Sequence, residues 1–462
     1  MVCNCLVTYA PCLSSVKPMH DREERVLTEK KFAIVGAGGR HQMYRRAITE
    51  TYPASNQLVA LCDTNEKRLA LSVSAAPPQP GNGIATYDAS EFDRMISEQQ
   101  PDTVIVTVPD YLHHEYIVRA LKAGRNVMTE KPMTVDLPKL KAVLDAQRAS
   151  GKALTVTFNY RYTPARTQLK DILMSGAIGE IEAVDFRWYL DRVHGADYFR
   201  RWHRYKDKSG GLLVHKSTHH FDLMNWWVAS TPKTVAANGK RVFYTPEMAV
   251  KLGLENHGER CHGCPVFHKC DYRLDLAADE GLREMYLEAE DADGYLRDKC
   301  VFAADITIED TMQVEATYAN GVFLNYTLVA YSPWEGLEIT FHGTKGELRH
   351  KHIEVHGVFS GGKRDKHDAG ENMTTTLHTA GGLPQNIDVW AGSGDHGGAD
   401  PVMLGYLFEP STMPADKYGR ASSQREGAWS ILTGIAANAS IAGGGRIDVD
   451  KMLADAGIVL ER

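Results

Sequence analysis

The stretch Lys31-Phe-Ala-Ile-Val-Gly36-Ala-Gly38-Gly39-Arg40-His41 decides the fold of this 462-residue chain. The four residues after Lys31 are apolar, as in a short buried strand, and a glycine-rich turn follows at once. A helical pattern then extends to about Glu50. Glycines let the backbone turn tightly and approach a phosphate closely. The stretch therefore predicts the first strand, turn and helix of a nucleotide-binding sheet.

The same alternation of strand and helix continues for more than a hundred residues. Further strands are predicted at residues 57–62, 103–108, 126–129 and 153–158. Helical patterns separate them at residues 66–75, 89–97, 113–123 and 137–150. Such alternation is typical of the α/β class with a doubly wound parallel sheet.

The pattern changes after about residue 153, where apolar and polar residues alternate with period two. This alternation occurs at residues 181–188, 311–318, 322–329, 337–342 and 347–352. Glycine and asparagine turns separate the stretches. Period-two alternation predicts strands with one buried face, and therefore a second, largely antiparallel sheet.

The glycine-rich turn favours a dinucleotide. Gly36 and Gly38 fit the first two glycine positions of the dinucleotide motif, whereas His41 stands where glycine or alanine is usual. Asp63 ends the second strand and can accept hydrogen bonds from both ribose hydroxyls. Its charge would repel a 2′-phosphate, so NAD is favoured over NADP, although nearby cations such as Arg40 keep NADP open. The alternative is a tight turn of the kind found in any α/β protein.

Composition excludes several classes of function. The formal net charge is −7, and 43% of the residues are hydrophobic and 24% charged, as in an ordinary globular protein. There is no basic run, so we expect no nucleic-acid partner. The longest apolar runs are far shorter than the roughly 20 residues that span a bilayer, so we expect no membrane partner. Residues 1–30 lack the features of a secretory signal, and we predict a flexible extension and a cytoplasmic protein.

Two short motifs carry a resemblance to a known family. They are Thr107-Val-Pro-Asp-Tyr-Leu-His113 and Val127-Met-Thr-Glu-Lys-Pro132, and similarity continues at residues 158–162 and 343–346. In these motifs the chain resembles the Gfo/Idh/MocA oxidoreductases. The resemblance implies a Rossmann NAD-binding domain at residues 31–152. It implies a second α/β domain at residues 153–462, with a large, open, mostly antiparallel sheet, which binds substrate and forms a homodimer or homotetramer.

Motif and resemblance together predict the cofactor site. The predicted cofactor-binding residues are Gly36, Gly38, Gly39, Arg40, His41, Asp63, Thr107, Pro109, His113, Glu130, Lys131 and Asn159. The resemblance implies that Lys131 lies near the nicotinamide and the reacting hydroxyl group. An ammonium beside a cationic ring should have a lowered pKa and can exchange a proton with an alcohol. The alternative is a surface ion pair between Glu130 and Lys131.

Residues 209–222 contain the second catalytic candidate. His215 and His219 are four residues apart and are predicted to share one face of a helix, which Trp226 and Trp227 would bury. The family resemblance implies that His219 is the general acid/base. His215 stands where relatives carry aspartate, and a neutral histidine could orient the substrate or relay a proton but would not anchor Lys131 electrostatically. Metal binding and simple packing are the alternatives for these histidines.

Aromatic and polar residues at the predicted domain junction suit a sugar ring. The predicted substrate-binding residues are Tyr160, Arg161, Trp188, His220 and His396, with His194, Tyr198 and Trp202 as further pocket residues. Aromatic faces stack on sugar C–H surfaces, while histidine and aspartate bind hydroxyl groups. Residues 394–400 resemble a glycine-rich loop of family branches that act on glycosides.

Three functions remain open at this point. The first is NAD-dependent oxidation of a secondary hydroxyl of a sugar, glycoside or cyclic polyol. The second is glycoside cleavage with retained NAD, in which transient oxidation of a ring hydroxyl acidifies the adjacent C–H and elimination expels the aglycone. The third is a non-catalytic NAD-dependent sensor, which Lys131 and His219 count against.

Residues 238–305 look like an insertion in the second domain, with an acidic helix from Asp275 to about Asp291. The insertion carries the predicted metal ligands Cys261, Cys264, Cys270 and Cys300. Cysteines with this spacing can hold a structural metal, with zinc as the first candidate and an iron–sulfur cluster as the second. Reduced cysteines without a metal are the alternative.

Overall fold

A computed structural model of the protein describes residues 29–81, 83–359, 362–366, 372–393 and 395–462. The predicted N-terminal extension, residues 1–30, lies outside this part of the chain except for its last two residues. Within the described residues, no helix combines the length and the apolar character needed to cross a lipid bilayer.

Six strands form the first sheet, and all of them are parallel. They are β1 (Lys30–Val35), β2 (Asn56–Asp63), β3 (Ala85–Asp88), β4 (Thr103–Val106), β5 (Asn126–Thr129) and β6 (Leu154–Val156). Their order is β3-β2-β1-β4-β5-β6, so the winding reverses between β1 and β4. Doubly wound sheets bind ligands beyond the carboxyl ends of the strands at this reversal. Because β6 pairs with β5, the sheet extends past the domain boundary predicted at residue 152.

Helices connect these strands, as the sequence pattern predicts. They are α1 (His41–Arg46), α2 (Glu66–Ser74), α3 (Phe92–Gln99), α4 (His113–Lys122) and α5 (Leu137–Ser150). A π-helical turn, Ala47–Thr51, continues α1. Side-chain caps fix two of the starts: Asn65 accepts a hydrogen bond from the Arg68 amide, and Asp136 accepts one from the Lys139 amide. The predicted doubly wound α/β fold is confirmed.

The second sheet has ten strands and is mixed but largely antiparallel. Its strands are β7 (Ile181–Asp191), β8 (Pro232–Lys240), β9 (Thr311–Tyr318), β10 (Phe323–Ser332), β11 (Glu335–Gly343), β12 (Gly346–Val358), β13 (Arg364–Lys366), β14 (Met373–Thr379), β15 (Gln385–Ile387) and β16 (Ile447–Asp448). The order is β15-β14-β12-β11-β7-β10-β9-β8-β16, with β13 beside β12. The five predicted period-two stretches correspond to β7, β9, β10, β11 and β12.

Helices pack on this sheet and join it to the first half of the fold. They are α6 (Pro164–Met174), α7 (Arg192–Arg200), α8 (Lys206–Ser209), α9 (Leu212–His215), α10 (Thr218–Trp227), α11 (Pro246–Lys251), α12 (Glu280–Leu282), α13 (Glu290–Asp293), α14 (Asp395–Phe408), α15 (Gln424–Gly443) and α16 (Val449–Asp455). The long helix α15 has a capping box at Ser423 and Glu426. As predicted, Trp226 and Trp227 at the end of α10 are buried.

Two predicted helices are interrupted. The amides of Lys216 and Ser217 both donate to the Leu212 carbonyl, at 3.1 and 2.8 Å, which ends α9 before α10 begins. The prediction that His215 and His219 share one helix face is therefore wrong. The predicted acidic helix from Asp275 to Asp291 is correct only in part, because helical structure begins at Glu280 and is broken at residues 288–289, between a π-helical turn and α13. Like charges four residues apart, such as Glu284 and Glu288, destabilise a helix.

Candidate active site

A cavity of about 1340 Å³ lies beyond the carboxyl ends of the parallel strands, between the two sheets. Ligand pockets commonly measure 300–1,000 Å³, so this cavity has room for a cofactor and a substrate together. Residues predicted as site residues line it from both halves of the fold. They are Gly36, Gly38, Gly39, Arg40, Asp63, Thr107, Pro109, His113, Glu130, Lys131, Asn159, Tyr160, His194, Tyr198, Trp202, His215, His219 and His396.

The glycine-rich turn forms one end of the cavity. Gly36 has a φ of +95°, and a Cβ atom there would lie 2.6 Å from the Val108 amide nitrogen. Only glycine fits so close to the neighbouring strand end. At Gly38 a Cβ atom would meet nothing within 4 Å, so the backbone faces open space in the cavity. This exposed backbone fits the diphosphate of a dinucleotide.

Asp63 lies beside the turn, at the end of β2. Its two carboxylate oxygens accept hydrogen bonds from the amides of Ala37, at 2.5 Å, and Asn65, at 2.8 Å. The guanidinium of Arg68 lies 3.7 Å from the carboxylate. These contacts fix the carboxylate at the cavity edge, where it suits the hydroxyl groups of a ribose.

His41 is not part of the cavity wall, which corrects its prediction as a cofactor-binding residue. Its ring is buried and contacts the Gly38 carbonyl and the Ser72 hydroxyl, the latter at 2.7 Å. Burial lowers the pKa of His41. The side chain therefore supports the turn from behind, in place of the small residue that is usual in this position.

Lys131 follows β5 and lines the cavity across the sheet from Asp63, which ends β2. The Glu130 carboxylate accepts hydrogen bonds from Arg40 Nε at 2.6 Å and the Tyr44 hydroxyl at 2.7 Å, so the alternative of a surface Glu130–Lys131 pair is wrong. Lys131 Nζ instead donates to the main-chain carbonyl of His215, at 3.3 Å. Burial lowers the pKa of Lys131 to about 8. An amine with this pKa can exchange a proton near neutral pH.

Loop residues after β4 hold Lys131 in place. The peptide bond between Lys131 and Pro132 is cis. His113 contacts the Pro132 carbonyl at 2.7 Å and the Val108 carbonyl at 2.9 Å through its two ring nitrogens. The Thr107 hydroxyl donates to the Gly36 carbonyl at 2.7 Å. These two predicted residues thus position the Lys131 loop and the glycine-rich turn.

His215 pairs with a carboxylate that the sequence analysis did not single out. Its Nδ1 lies 2.5 Å from an Asp110 carboxylate oxygen. Burial raises the pKa of Asp110 and, with Lys131 nearby, lowers the pKa of His215. The raised pKa of Asp110 favours its protonated form and the lowered pKa of His215 favours its neutral form. We therefore infer that one proton lies between the Asp110 carboxylate and His215 Nδ1. A carboxyl group therefore lies beside position 215, where the family resemblance implies an aspartate, but it comes from Asp110 in the quoted Thr107–His113 motif.

His219, the second residue of α10, forms the wall beside Lys131. Its ring stacks on Tyr160, with 4.0 Å between centroids and 13° between planes. Burial and the positive charge of Lys131 lower the pKa of His219 well below its usual range. The imidazole is therefore neutral at physiological pH and can accept a hydrogen bond or a proton from a hydroxyl group.

The wall on the second sheet is polar and was largely missed by sequence reasoning. His194 Nδ1 contacts Glu335 at 2.7 Å, and Arg364 contacts the same carboxylate at 3.0 Å. The Tyr198 hydroxyl lies 3.1 Å from His194 Nε2. Glu354 and Lys216 complete this wall. Strand pairing brings Glu335, Glu354 and Arg364 together, from β11, β12 and β13. In the sequence, only the charged Glu335 at the start of β11 could have indicated one of these three residues.

Three predicted substrate-binding residues do not line the cavity. Arg161 forms two hydrogen bonds with Asp222, at 2.7 and 2.6 Å, in the protein interior. Trp188 stacks on His220 at 4.3 Å, and His220 Nδ1 contacts the Tyr326 hydroxyl at 2.7 Å. All three side chains are buried, and the rings of Trp188 and His220 pack against Tyr160, with centroids 5.9 and 6.4 Å away.

The first residues of α14, where the backbone of residues 396–398 is not helical, reach the cavity from the C-terminal region. His396 Nδ1 lies 2.9 Å from Asp400, whose other oxygen accepts a hydrogen bond from Asn159 at 2.7 Å. The backbone of His396 is left-handed, with a φ of +53°. His396 and Asn159 both line the cavity, as predicted, while Gly394 lies outside the described residues.

The four cysteines of the insertion converge, but zinc is not supported. Cys261, Cys264, Cys270 and Cys300 line one small cavity, and none of them forms a disulfide. Yet in the part of the chain that the structure describes, no group of three or more His, Cys, Asp or Glu side chains is arranged to hold a metal ion. His215 and His219 likewise belong to no such group among the described residues, so the structure does not support a metal between them.

Comparison with known proteins agrees with this architecture. Residues 30–158 match the family model described as "Oxidoreductase family, NAD-binding Rossmann fold", and residues 170–449 match "Oxidoreductase family, C-terminal alpha/beta domain". The chain is 33% identical to the Bacillus subtilis (strain 168) protein YteT over 417 residues, which cover 88% of this chain and 94% of YteT.

One further relative in sequence and one solved structure with the same fold are similar to this chain. The Lactiplantibacillus plantarum inositol 2-dehydrogenase/D-chiro-inositol 3-dehydrogenase is 25% identical over 66% of this chain and 87% of its own. The WlbA dehydrogenase of Bordetella pertussis, solved with NADH and UDP-GlcNAcA, shares the fold with a TM-score of 0.58 at 19% identity, over 91% of this chain and 98% of that one. The chain therefore belongs to the Gfo/Idh/MocA family of oxidoreductases.

Proposed function

We propose that the protein oxidises a secondary hydroxyl group of a sugar, glycoside or cyclic polyol, with NAD as hydride acceptor. The observation that carries the proposal is that the glycine-rich turn and the Lys131–His219 wall border the same cavity. When bound, NAD would take up a hydride from the carbon that bears the hydroxyl. The name of the inositol dehydrogenase among the relatives, and the NADH and UDP-GlcNAcA bound to the WlbA dehydrogenase, support this substrate class.

Lys131 and His219 exchange the hydroxyl proton in this proposal. A neutral His219 accepts the hydrogen bond that orients the hydroxyl group. Because its pKa is lowered so far, the imidazole is a weak base, and Lys131, with a pKa of about 8, is the better final acceptor. The Asp110–His215 pair fixes the backbone at residue 215, whose carbonyl holds the Lys131 amine.

The residues around the ribose site favour NAD over NADP. Asp63 faces the cavity, and the nearby cation Arg68 already pairs with Asp63 and Asp293. Lys67 pairs with Asp291, and Arg40 pairs with Glu130. A 2′-phosphate would meet two carboxylates and cations that are engaged elsewhere, which disfavours it electrostatically.

A second candidate is glycoside cleavage with NAD retained, and the His396–Asp400 pair favours it. This pair offers a proton carrier in addition to Lys131 and His219. Elimination of an aglycone requires proton transfers beyond those of simple oxidation, since a C–H proton is removed and the leaving oxygen is protonated.

One experiment tests both candidates. The purified protein is incubated with inositols, free sugars and aryl glycosides, each with NAD⁺, with NADP⁺ or without added cofactor. Net NADH formation supports the dehydrogenase, whereas release of the aglycone without net NADH supports the cleavage reaction. Absence of both reactions across the panel, with NAD bound, would contradict the proposal and point to a sensor.

The predicted homodimer or homotetramer also remains a proposal. In support, β10 places Phe323 on the solvent side, with 61% of its surface exposed. Light scattering on the purified protein would give the oligomeric state, and a monomer at micromolar concentration would contradict it.

A further inference from the structure

We call residues 283–295 of the insertion the strap. They lie across the end of the cavity that is lined by the glycine-rich turn and Asp63, which we call the nucleotide end. The strap contains the π-helical turn Arg283–Leu287 and the helix α13. Tyr286, Asp293, Gly294 and Tyr295 line the same cavity as the glycine-rich turn and Asp63. The nucleotide end therefore has the Rossmann domain on one side and the strap on the other.

The first strap residue of interest, Tyr286, contacts the phosphate-binding turn directly. Its hydroxyl oxygen accepts a hydrogen bond from the Gly39 amide at 3.2 Å, and a Cβ atom on Gly39 would lie 3.4 Å from that oxygen. Backbone amides of this turn are the groups that bind a dinucleotide diphosphate. A hydroxyl can also donate. Tyr286 is therefore placed to donate a hydrogen bond to a phosphate oxygen held by the turn.

The second residue, Asp293, lies at the ribose end. Its carboxylate pairs with Arg68, and Arg68 lies 3.7 Å from Asp63 on its other side. One guanidinium thus holds two carboxylates at the cavity edge. Since a carboxylate accepts hydrogen bonds from hydroxyl groups, Asp293 can share with Asp63 the recognition of an adenosine ribose.

The strap is anchored on both halves of the fold. On the Rossmann side, the Asn65 side chain donates to the Ala289 carbonyl at 2.9 Å, and Lys67 Nζ donates to the Glu288 carbonyl at 2.8 Å. On the other side, Arg201 donates to the Tyr295 hydroxyl at 3.4 Å. These contacts hold the strap over the nucleotide end of the cavity.

We propose that Tyr286 and Asp293 are cofactor-binding residues, which contact the diphosphate and the adenosine ribose of NAD, and that the strap slows dissociation of the cofactor. The inference rests on the proposed function in that NAD is the cofactor. Neither residue belongs to the dinucleotide motif. Both come from the insertion, and each lies more than two hundred residues along the chain from the Rossmann residue that it contacts, Gly39 or Arg68.

Release of NADH is the quantity to measure, without any sugar substrate. The protein is loaded with NADH, mixed with excess NAD⁺, and the loss of bound-NADH fluorescence is followed by stopped flow. We expect Tyr286→Phe and Asp293→Asn each to release NADH about tenfold faster than the wild type, because each loses a hydrogen bond to the ligand. Asp145→Asn and Tyr418→Phe, which remove one charge and one hydroxyl outside the cavity, should release NADH at the wild-type rate.

Two results would overturn the inference, and they differ from each other. If the wild type binds NADH and both strap variants release it at the wild-type rate, this inference fails while the proposed function stands. If the wild type gives no bound-NADH signal, the proposed function fails and this inference with it. Thermal unfolding checks that the variants fold; should Tyr286→Phe unfold, Asp293→Asn still decides the test.

Discussion

Tyr160 and Arg161 are adjacent in the chain, as are His219 and His220, yet each pair is divided between two regions. Tyr160 and His219, with Lys131, form the cavity wall. Arg161 with Asp222, and Trp188 with His220, form a packed layer directly behind it.

Solvent exposure does not distinguish the two regions. Tyr160 is 4% exposed and Arg161 3%, while His219 is 5% exposed and His220 0%. What differs is access to the cavity: Arg161 and Asp222 bind each other and His220 Nδ1 contacts the Tyr326 hydroxyl, whereas the wall has a neutral imidazole and an amine facing the cavity. A buried polar residue is therefore a site candidate only when its neighbours leave it chemically available.

The largest effect is expected at Lys131. Lys131→Met removes the proposed proton acceptor and should lower kcat about 10²–10⁴-fold, since that is the usual contribution of a general acid or base. The matched control is Lys141→Met on an exposed face of α5. Steady-state kinetics and thermal unfolding check both variants. Near-normal turnover of Lys131→Met would remove Lys131 from the mechanism.

Arg161 tests the packed layer. Arg161→Met leaves the Asp222 carboxylate buried without its partner, and burial already raises the pKa of Asp222 to about 6. We expect the free energy of unfolding at pH 7 to fall by about 3–5 kcal/mol, with KM of the folded protein unchanged. Denaturant unfolding measures it, and Arg161→Met/Asp222→Leu should recover much of the loss. A raised KM with full stability would return Arg161 to the substrate site.

The two adjacent histidines give the sharpest contrast. His219→Asn should lower kcat about 10²-fold, and the lost stacking on Tyr160 should lower the free energy of unfolding by only about 0.5–1.5 kcal/mol. His220→Asn removes a bond to the Tyr326 hydroxyl and a stacked ring, and should lower the free energy of unfolding by about 1–3 kcal/mol with turnover retained. Kinetics and urea unfolding of both variants check the contrast. The reverse pattern would exchange the roles of the two residues.

The smallest expected effect is the change in kcat/KM per pH unit as the Lys131 amine gains or loses its proton. The neutral amine of Lys131 is the form that accepts a proton, and its pKa is lowered to about 8. For oxidation, kcat/KM should therefore rise about tenfold per pH unit below pH 8 and level off above it. A pH profile measured on the best substrate checks this. A profile that is flat across pH 8 and bends only in the range of a histidine would assign the proton to His219.

The insertion shows a different limit of sequence reasoning. The spacing of its cysteines correctly indicates that the four side chains converge, but convergence alone does not create a metal site. The described side chains lack the arrangement that a metal needs. What the insertion contributes instead is the strap, whose contacts with the glycine-rich turn no spacing rule could indicate.

Features that depend on contiguous residues were predicted well. The glycine-rich turn, the alternation of strand and helix and the Glu-Lys-Pro motif each fix a local backbone geometry, and the family resemblance added the roles of Lys131 and His219. The break between α9 and α10 was missed because a four-residue spacing is equally compatible with one helix or two.

The sequence by itself determined the doubly wound sheet, the dinucleotide turn and the positions of Lys131 and His219 along the chain. The tertiary structure alone decided that Asp110 pairs with His215, 105 residues away, and that Tyr286 contacts Gly39 across 247 residues. It also decided which of two adjacent residues faces the cavity. The physical reason is that steric limits and periodicity act between neighbours in the chain, whereas the partner of a buried polar group depends on how distant segments pack.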